Sequence, residues 1–168
     1  MFRLSITRKL GNNDKRTKDY RQLYLFQGIK LDKKIPVKNV GEIHILFVDD
    51  DSNLLQAAKR LLKRKDYIVT SASSSSEAIA LIKEYNDVFD VIITDYSMPD
   101  MNGVELALAA SRILAGTPVI LLTGSIDPID EKKVKEAGIA GVVNKPCKME
   151  ELDSAIKKVI NKNDMQFF

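Results

Sequence analysis

Four short polar groups interrupt apolar runs in this 168-residue chain, and their chemistry is complementary. Asp49-Asp50-Asp51 follows one run, Asp95 a second, Thr123-Gly124-Ser125 a third and Lys145-Pro146 a fourth. Singly, each has a plain structural use. Aspartates ahead of a helix cap it and complement its dipole, Asp95 and Thr123 suit turns, and Lys145 reads as a solvated charge. Together they suggest a site. If the strands ending at Asp49 and Asp95 lie side by side, Asp49, Asp50 and Asp95 converge. Two carboxylates ~4 Å apart repel by roughly 4 kcal/mol at an effective dielectric of ~20. Three of them burden a domain whose net stability is only ~5–15 kcal/mol. A divalent cation removes that cost, and an all-oxygen ligand set without histidine or cysteine favours magnesium (or manganese) over zinc.

The elements that must position these groups are legible from Ile43 onward. Short apolar, β-branched-rich runs at 43–48, 67–71, 88–94, 118–123 and 139–144 predict strands. Between them lie segments with helical spacing. Leu54, Leu55, Ala58, Leu61 and Leu62 form one amphipathic stripe, and Ala78, Leu81, Ile82 and Tyr85 a second. Ser74 with Glu77 three residues on has the pattern of a capping box. A third helix, about 104–114, is apolar on nearly all sides. A fourth is expected to open at Asp127-Pro128 and end at Gly138, and a fifth buries Met149, Leu152, Ile156, Val159 and Ile160. Alternation of this kind implies an α/β fold: a doubly wound (βα)5 parallel sheet with helices on both faces, its site outside the carboxyl ends of the strands. All four polar groups fall at such ends.

Composition is that of a globular protein, with 45% apolar and 29% charged residues. No apolar run approaches the ~20 residues of a spanning helix, and no secretory signal opens the chain, so no membrane is expected. The single cysteine, Cys147, fits a reducing, cytoplasmic setting and reads as an inert thiol. The net charge of +3 is uneven. Residues 1–42 hold 11 Lys/Arg against 4 Asp/Glu and the remainder 15 against 19, so the basic excess belongs to a leader and not to a nucleic-acid-binding surface.

The segments ILFVDDD, DVIITDYSMPDMNG, PVILLTGS and NKP, in that order, closely resemble the receiver domain of two-component response regulators. That resemblance implies a flavodoxin-like sheet in the order 2-1-3-4-5 and a phosphorelay role. By it, Asp95 accepts a phosphoryl group from a histidine kinase or phosphotransfer protein. Asp50 is a direct Mg2+ ligand, Asp49 acts at the metal through water, and Ser97 offers its backbone carbonyl. Thr123 hydrogen-bonds the phosphoryl oxygens, Lys145 pairs with them, and the Lys145–Pro146 peptide is cis. Gly124 leaves room for the incoming group, and Ser125 flanks the site. A receiver is not an enzyme in its own right. Residues 1–41 are then a basic extension or linker, 42–163 the receiver and 164–168 a tail, with output through an unknown protein partner because no output domain follows.

One position departs from the family. Where an aromatic residue or threonine usually stands three residues before the lysine, this chain has Val142. Valine is short and stiff at χ1, so the signal is expected to be read from the loop after the fourth strand and from the fourth helix. His44, within the first strand, reads as a half-buried structural imidazole and not as a phosphodonor. Lys132, Lys133 and Lys135, with Glu150, Glu151 and Asp153, offer charges that pair across a homodimer or simply face water. The leader segment YRQLYLFQ resembles the junction ahead of a receiver in hybrid histidine kinases. A rival from another class is a haloacid-dehalogenase-like Mg-dependent phosphatase with Asp49 and Asp51 as its opening pair. Against it, Asn53 stands where that family has Thr or Val.

Overall fold

A computed structural model describes residues 41–85, 88–124 and 130–164, leaving the side chains of Glu131 and residues 162–164 undescribed. Among the described residues, five strands, β1 (His44–Val48), β2 (Ile68–Ala72), β3 (Val91–Asp95), β4 (Val119–Thr123) and β5 (Ile139–Asn144), alternate with five helices. These are α1 (Ser52–Lys63), α2 (Ser75–Glu84), α3 (Gly103–Ser111), α4 (Glu131–Glu136) and α5 (Met149–Asp164). All strand pairings are parallel, in the order β2-β1-β3-β4-β5. The fold is therefore the flavodoxin-like doubly wound sheet that the alternation and the resemblance imply.

Burial explains why the central strands carry continuous apolar runs, with polar residues only at their ends (His44, Thr94, Asp95 and Thr123). Every residue of β1, β3 and β4 is buried, because helices cover both faces. The edge strand β5 alternates half-buried and exposed residues instead. Successive side chains of a strand point to opposite faces, and this divides the core. Ile45, Phe47, Ile93 and Leu122 pack with Leu55, Ala58 and Leu62 of α1 and with Leu152, Ile156 and Val159 of α5. Leu46, Val48 and Ile92 pack on the other face with Ala78 and Ile82 of α2 and with Leu106, Ala107 and Ala110 of α3.

Register then aims the strand ends. Val48 lies opposite Thr94, so the next residues, Asp49 and Asp95, emerge from neighbouring strands side by side. Asp95 lies opposite Leu122 and Thr123 opposite Asn144, which brings the ends of β4 and β5 to the same rim.

Local details differ from the expectations at several places. The capping box of α2 is displaced by one residue: Ser74 Oγ accepts from Glu77 N, but the Glu77 carboxylate accepts from Ser73 N and Ser73 Oγ. Helix α3 ends at Ser111, three residues short of the apolar pattern. Leu114 is nevertheless buried, so its hydrophobicity reports packing and not helix. The described α4 begins at Glu131 behind the N-cap Asp130, and the expected Asp127-Pro128 start lies outside the described residues. Its end is as expected, with Gly138 at φ +68°. Leu61 of the α1 stripe is 40% exposed, since the stripe is wider than the face that α1 buries.

His44 is fully buried, not half-buried. Its Nε2 lies 2.8 Å from Thr70 Oγ1 across β1 and β2, and its ring meets Phe89 edge-on at 5.2 Å. Asp153 is engaged within its own domain. It is 8% exposed, accepts from Tyr67 Oη at 2.7 Å and pairs with Lys157 Nζ at 2.9 Å.

Candidate functional site

The aspartate triplet splits into two uses. Asp51 is the N-cap of α1, and its carboxylate accepts from Asn53 N at 2.8 Å and Leu54 N at 3.3 Å. Asp49 is buried, holds Asp51 N at 2.9 Å through Oδ1, and turns Oδ2 toward Lys145. Asp50, between them, is exposed. The cap foreseen for the triplet thus falls to Asp51, while Asp49 and Asp50 lie nearer Asp95.

Asp49, Asp50 and Asp95 each place a carboxylate oxygen within 4.8 Å of the other two. Lys145 Nζ stands 2.7 Å from Asp49 Oδ2 and 2.9 Å from Asp95 Oδ1, with side chains 23%, 2% and 11% exposed respectively. Burial alone would lower the lysine's pKa, but its hydrogen bonds and charge pairing with Asp49 and Asp95 outweigh that and raise it. It is a cation throughout the neutral range. Three carboxylates against one ammonium still leave an excess of negative charge. A hard divalent ion with oxygen ligands suits this donor set.

The rim around the carboxylates is held by backbone bonds. Tyr96 N donates to Leu122 O at 2.7 Å, and Lys145 N donates to Thr123 O at 2.6 Å. Thr94 Oγ1 donates to Asp95 O at 3.0 Å. Thr123 is buried at the end of β4, and the Lys145–Pro146 peptide is cis. Among the described residues, a side chain built on Gly124 would meet only Lys145 Cβ, at 3.8 Å.

The remaining residues singled out from sequence are spread around this centre. Ser97 is exposed just after Asp95, and Pro146 is exposed beyond Lys145. Val142 is 46% exposed on the edge strand. Residues 125–129 of the loop after β4, Ser125 among them, and the leader segment at 20–27 lie outside the described residues. Cys147 is half-buried, with its thiol pKa raised by burial and by Glu151, as befits an inert sulfhydryl.

Two contributors were not singled out. Gly103 lies directly against Asp95: a Cβ there would collide with the Asp95 carbonyl oxygen and with Leu121 Cδ1. Ser75 Oγ donates to Met101 O at 2.7 Å and so ties α2 to the segment that follows Asp95. The Asn102-Gly103 pair reads locally as a turn, and Ser75 is hidden in a run of four serines. Neither dipeptide nor run names the distant atom that each contacts.

The model of the response regulator receiver domain matches residues 45–157, most of the described fold and all four groups at the strand ends. The chain belongs to this family. Its receiver fold is similar to a response regulator receiver domain protein from Clostridium thermocellum, at 32% identity and a TM-score of 0.70, over 74% of this chain and 99% of that one. It is 33% identical over 124 residues to the two-component response regulator ARR10 of Arabidopsis thaliana, covering 74% of this chain and 22% of the relative. It is also 34% identical over 128 residues to the sensor histidine kinase AruS of Pseudomonas aeruginosa, covering 74% and 13%. The chain thus spans less than a quarter of the length of these two relatives. Among the described residues, no helix of this receiver is long and apolar enough to cross a membrane.

Proposed function

We propose that this receiver is a phosphoacceptor, with Asp95 taking a phosphoryl group from a phosphohistidine on a histidine kinase or phosphotransfer protein. In that step the P–N bond of the donor breaks and a P–O bond forms at an Asp95 carboxylate oxygen. The freed imidazole takes up a proton. The observation that carries the reading is Lys145 bridging Asp49 and Asp95 beside a third carboxylate at the carboxyl ends of β1 and β3.

Each residue then has a task. Asp50 and Asp95, with the Ser97 carbonyl, would hold Mg2+ (or Mn2+), and Asp49 would act on it through water. Bound there, the ion neutralises charge on the transferring phosphoryl group. Lys145, already poised between two carboxylates, pairs with the phosphoryl oxygens as charge builds. Thr123 donates its hydroxyl to them, beside Gly124. The acyl phosphate adds about −1.5 to −2 charges. With Val142 in place of a larger side chain, the loop after β4 and helix α4 carry that change to a protein partner. The likeness to a sensor histidine kinase is in keeping with a histidine-containing donor.

The phosphatase alternative is not favoured. It needs Asp51 as an acid in the site, whereas the Asp51 carboxylate is committed to two backbone amides of α1. Incubation with acetyl phosphate and Mg2+, followed by intact mass, tests the proposal. One added phosphoryl group, ~80 Da and labile to hydroxylamine as an acyl phosphate is, supports it. An unmodified chain overturns it.

A further inference from the structure

Residues 96–102, between β3 and α3, are held at both ends and in the middle. Tyr96 N donates to Leu122 O, and Tyr96 O accepts from Gly103 N at 3.0 Å. Met98 is buried in the core, while Ser97, Pro99 and Asp100 are exposed. The far end meets α2. Ser75 Oγ donates to Met101 O at 2.7 Å, across 26 positions of sequence, and lies 3.8 Å from Met98 Sδ. Ser75 is 2% exposed, so the donor side of this part-buried bond is shielded from bulk water.

Helix capping does not account for this hydroxyl. Ser74 supplies the cap of α2 and Glu77 returns to Ser73, so the first turn is served without Ser75. The hydroxyl of Ser75 faces another segment, the one that carries Ser97.

We propose that Ser75 is a positioning residue for the cation site, tethering the segment after Asp95 so that the Ser97 carbonyl keeps its direction toward the metal. This inference rests on the phosphoacceptor reading. A backbone carbonyl has no rotamers of its own, so only the path of its loop can aim it. Tyr96 fixes that path at the start, through β4, and Ser75 fixes it at the end, through α2. Removing the hydroxyl leaves the Met101 carbonyl without this donor and gives the segment freedom that a bound ion must then take away. Metal affinity suffers, while chemistry at saturating metal does not.

The test uses the full chain, with Mg2+ titrated calorimetrically and acetyl phosphate acceptance measured at limiting and saturating Mg2+. Ser75→Ala is expected to raise the Mg2+ Kd about five-fold, which corresponds to roughly 1 kcal/mol. The Mg2+ concentration for half-maximal acceptance rises in step, the rate at saturation stays within about two-fold, and the Gly103 amide loses hydrogen-exchange protection. Ser75→Thr, which restores a hydroxyl, recovers most of the affinity. Tyr67→Phe removes a comparably buried hydroxyl bond, the one to Asp153, at the opposite end of the sheet. It lowers Tm and leaves the Mg2+ Kd unchanged. Should Ser75→Ala not fold, Ser75→Cys replaces the strong donor by a weak one and is read the same way. If wild type binds Mg2+ and is phosphorylated while the Ser75 variants bind it equally well, this inference alone is lost. It is lost too if Tyr67→Phe shifts the Kd as much as Ser75→Ala. Wild type that neither binds Mg2+ nor accepts the group ends the underlying reading as well.

Discussion

Gly103, the first residue of α3, is packed so closely on Asp95 that any side chain at 103 would occupy the place of the Asp95 carbonyl oxygen. Its amide also donates to Tyr96 O at 3.0 Å, so the start of α3 is locked to the end of β3. The candidate phosphoacceptor is therefore aimed partly by a residue that has no side chain.

Gly103→Ala tests that contact. The new methyl must push either Asp95 or α3 aside, since backbone cannot yield as a flexible side chain can. Overpacking of this kind costs ~1–3 kcal/mol, and Tm is expected to fall by several degrees. Phosphoryl acceptance falls with it, because Asp95 moves relative to Asp49 and Lys145. A variant with unchanged Tm and unchanged acceptance would deny the contact any role.

Asp51→Ala separates the two uses of the aspartate triplet. Loss of an N-cap costs ~0.5–2 kcal/mol, so thermal stability drops. Acetyl phosphate still modifies Asp95, because Asp51 spends its carboxylate on Asn53 N and Leu54 N. Intact mass alongside a melting curve checks both halves. A variant that is stable yet inert would revive the phosphatase assignment.

The Tyr67–Asp153–Lys157 cluster predicts a pH dependence. Hydrogen bonds from Tyr67 and Lys157 hold the Asp153 carboxyl below its ordinary value, despite burial. A carboxyl lowered on folding stabilises above its unfolded pKa of about 4, and that contribution is lost as pH falls through the folded value. Burial, then the bond to Asp153, raises Tyr67, so its contribution is present below about pH 10 and fades as the pH climbs above that. Asp153→Ala is expected to cost ~1–3 kcal/mol at pH 7 and to flatten the acid limb of a stability–pH profile measured by urea unfolding. An acid limb identical to wild type would rule the cluster out as its source.

Much of this was legible in the sequence because it depends on local pattern. The strand positions follow from apolar runs bounded by polar residues, and their double-sided burial from the absence of alternation in Ile92, Ile93 and in Val119–Leu122. Asp49, Asp50 and Asp95 stand at strand ends, where a doubly wound fold puts its site, so their convergence followed once β1 and β3 were neighbours, whereas Lys145, after β5, was placed there by the family resemblance. What escaped depends on contacts far apart in sequence. Ser75 reaches Met101, Gly103 meets Asp95, and Asp153 turns inward to Tyr67; in each case the residue type fits a commoner local use. Leu114 misled in the opposite direction, being apolar for the core and not for a helix.

The central claim is that Asp95 carries the phosphoryl group. Wild type and Asp95→Asn are incubated side by side with acetyl phosphate and Mg2+, with and without a chelator, and read by intact mass. The account predicts one hydroxylamine-labile addition of ~80 Da on wild type, absent with chelator and absent from Asp95→Asn. An equal addition to a folded Asp95→Asn variant, or none to wild type at saturating Mg2+, would contradict it.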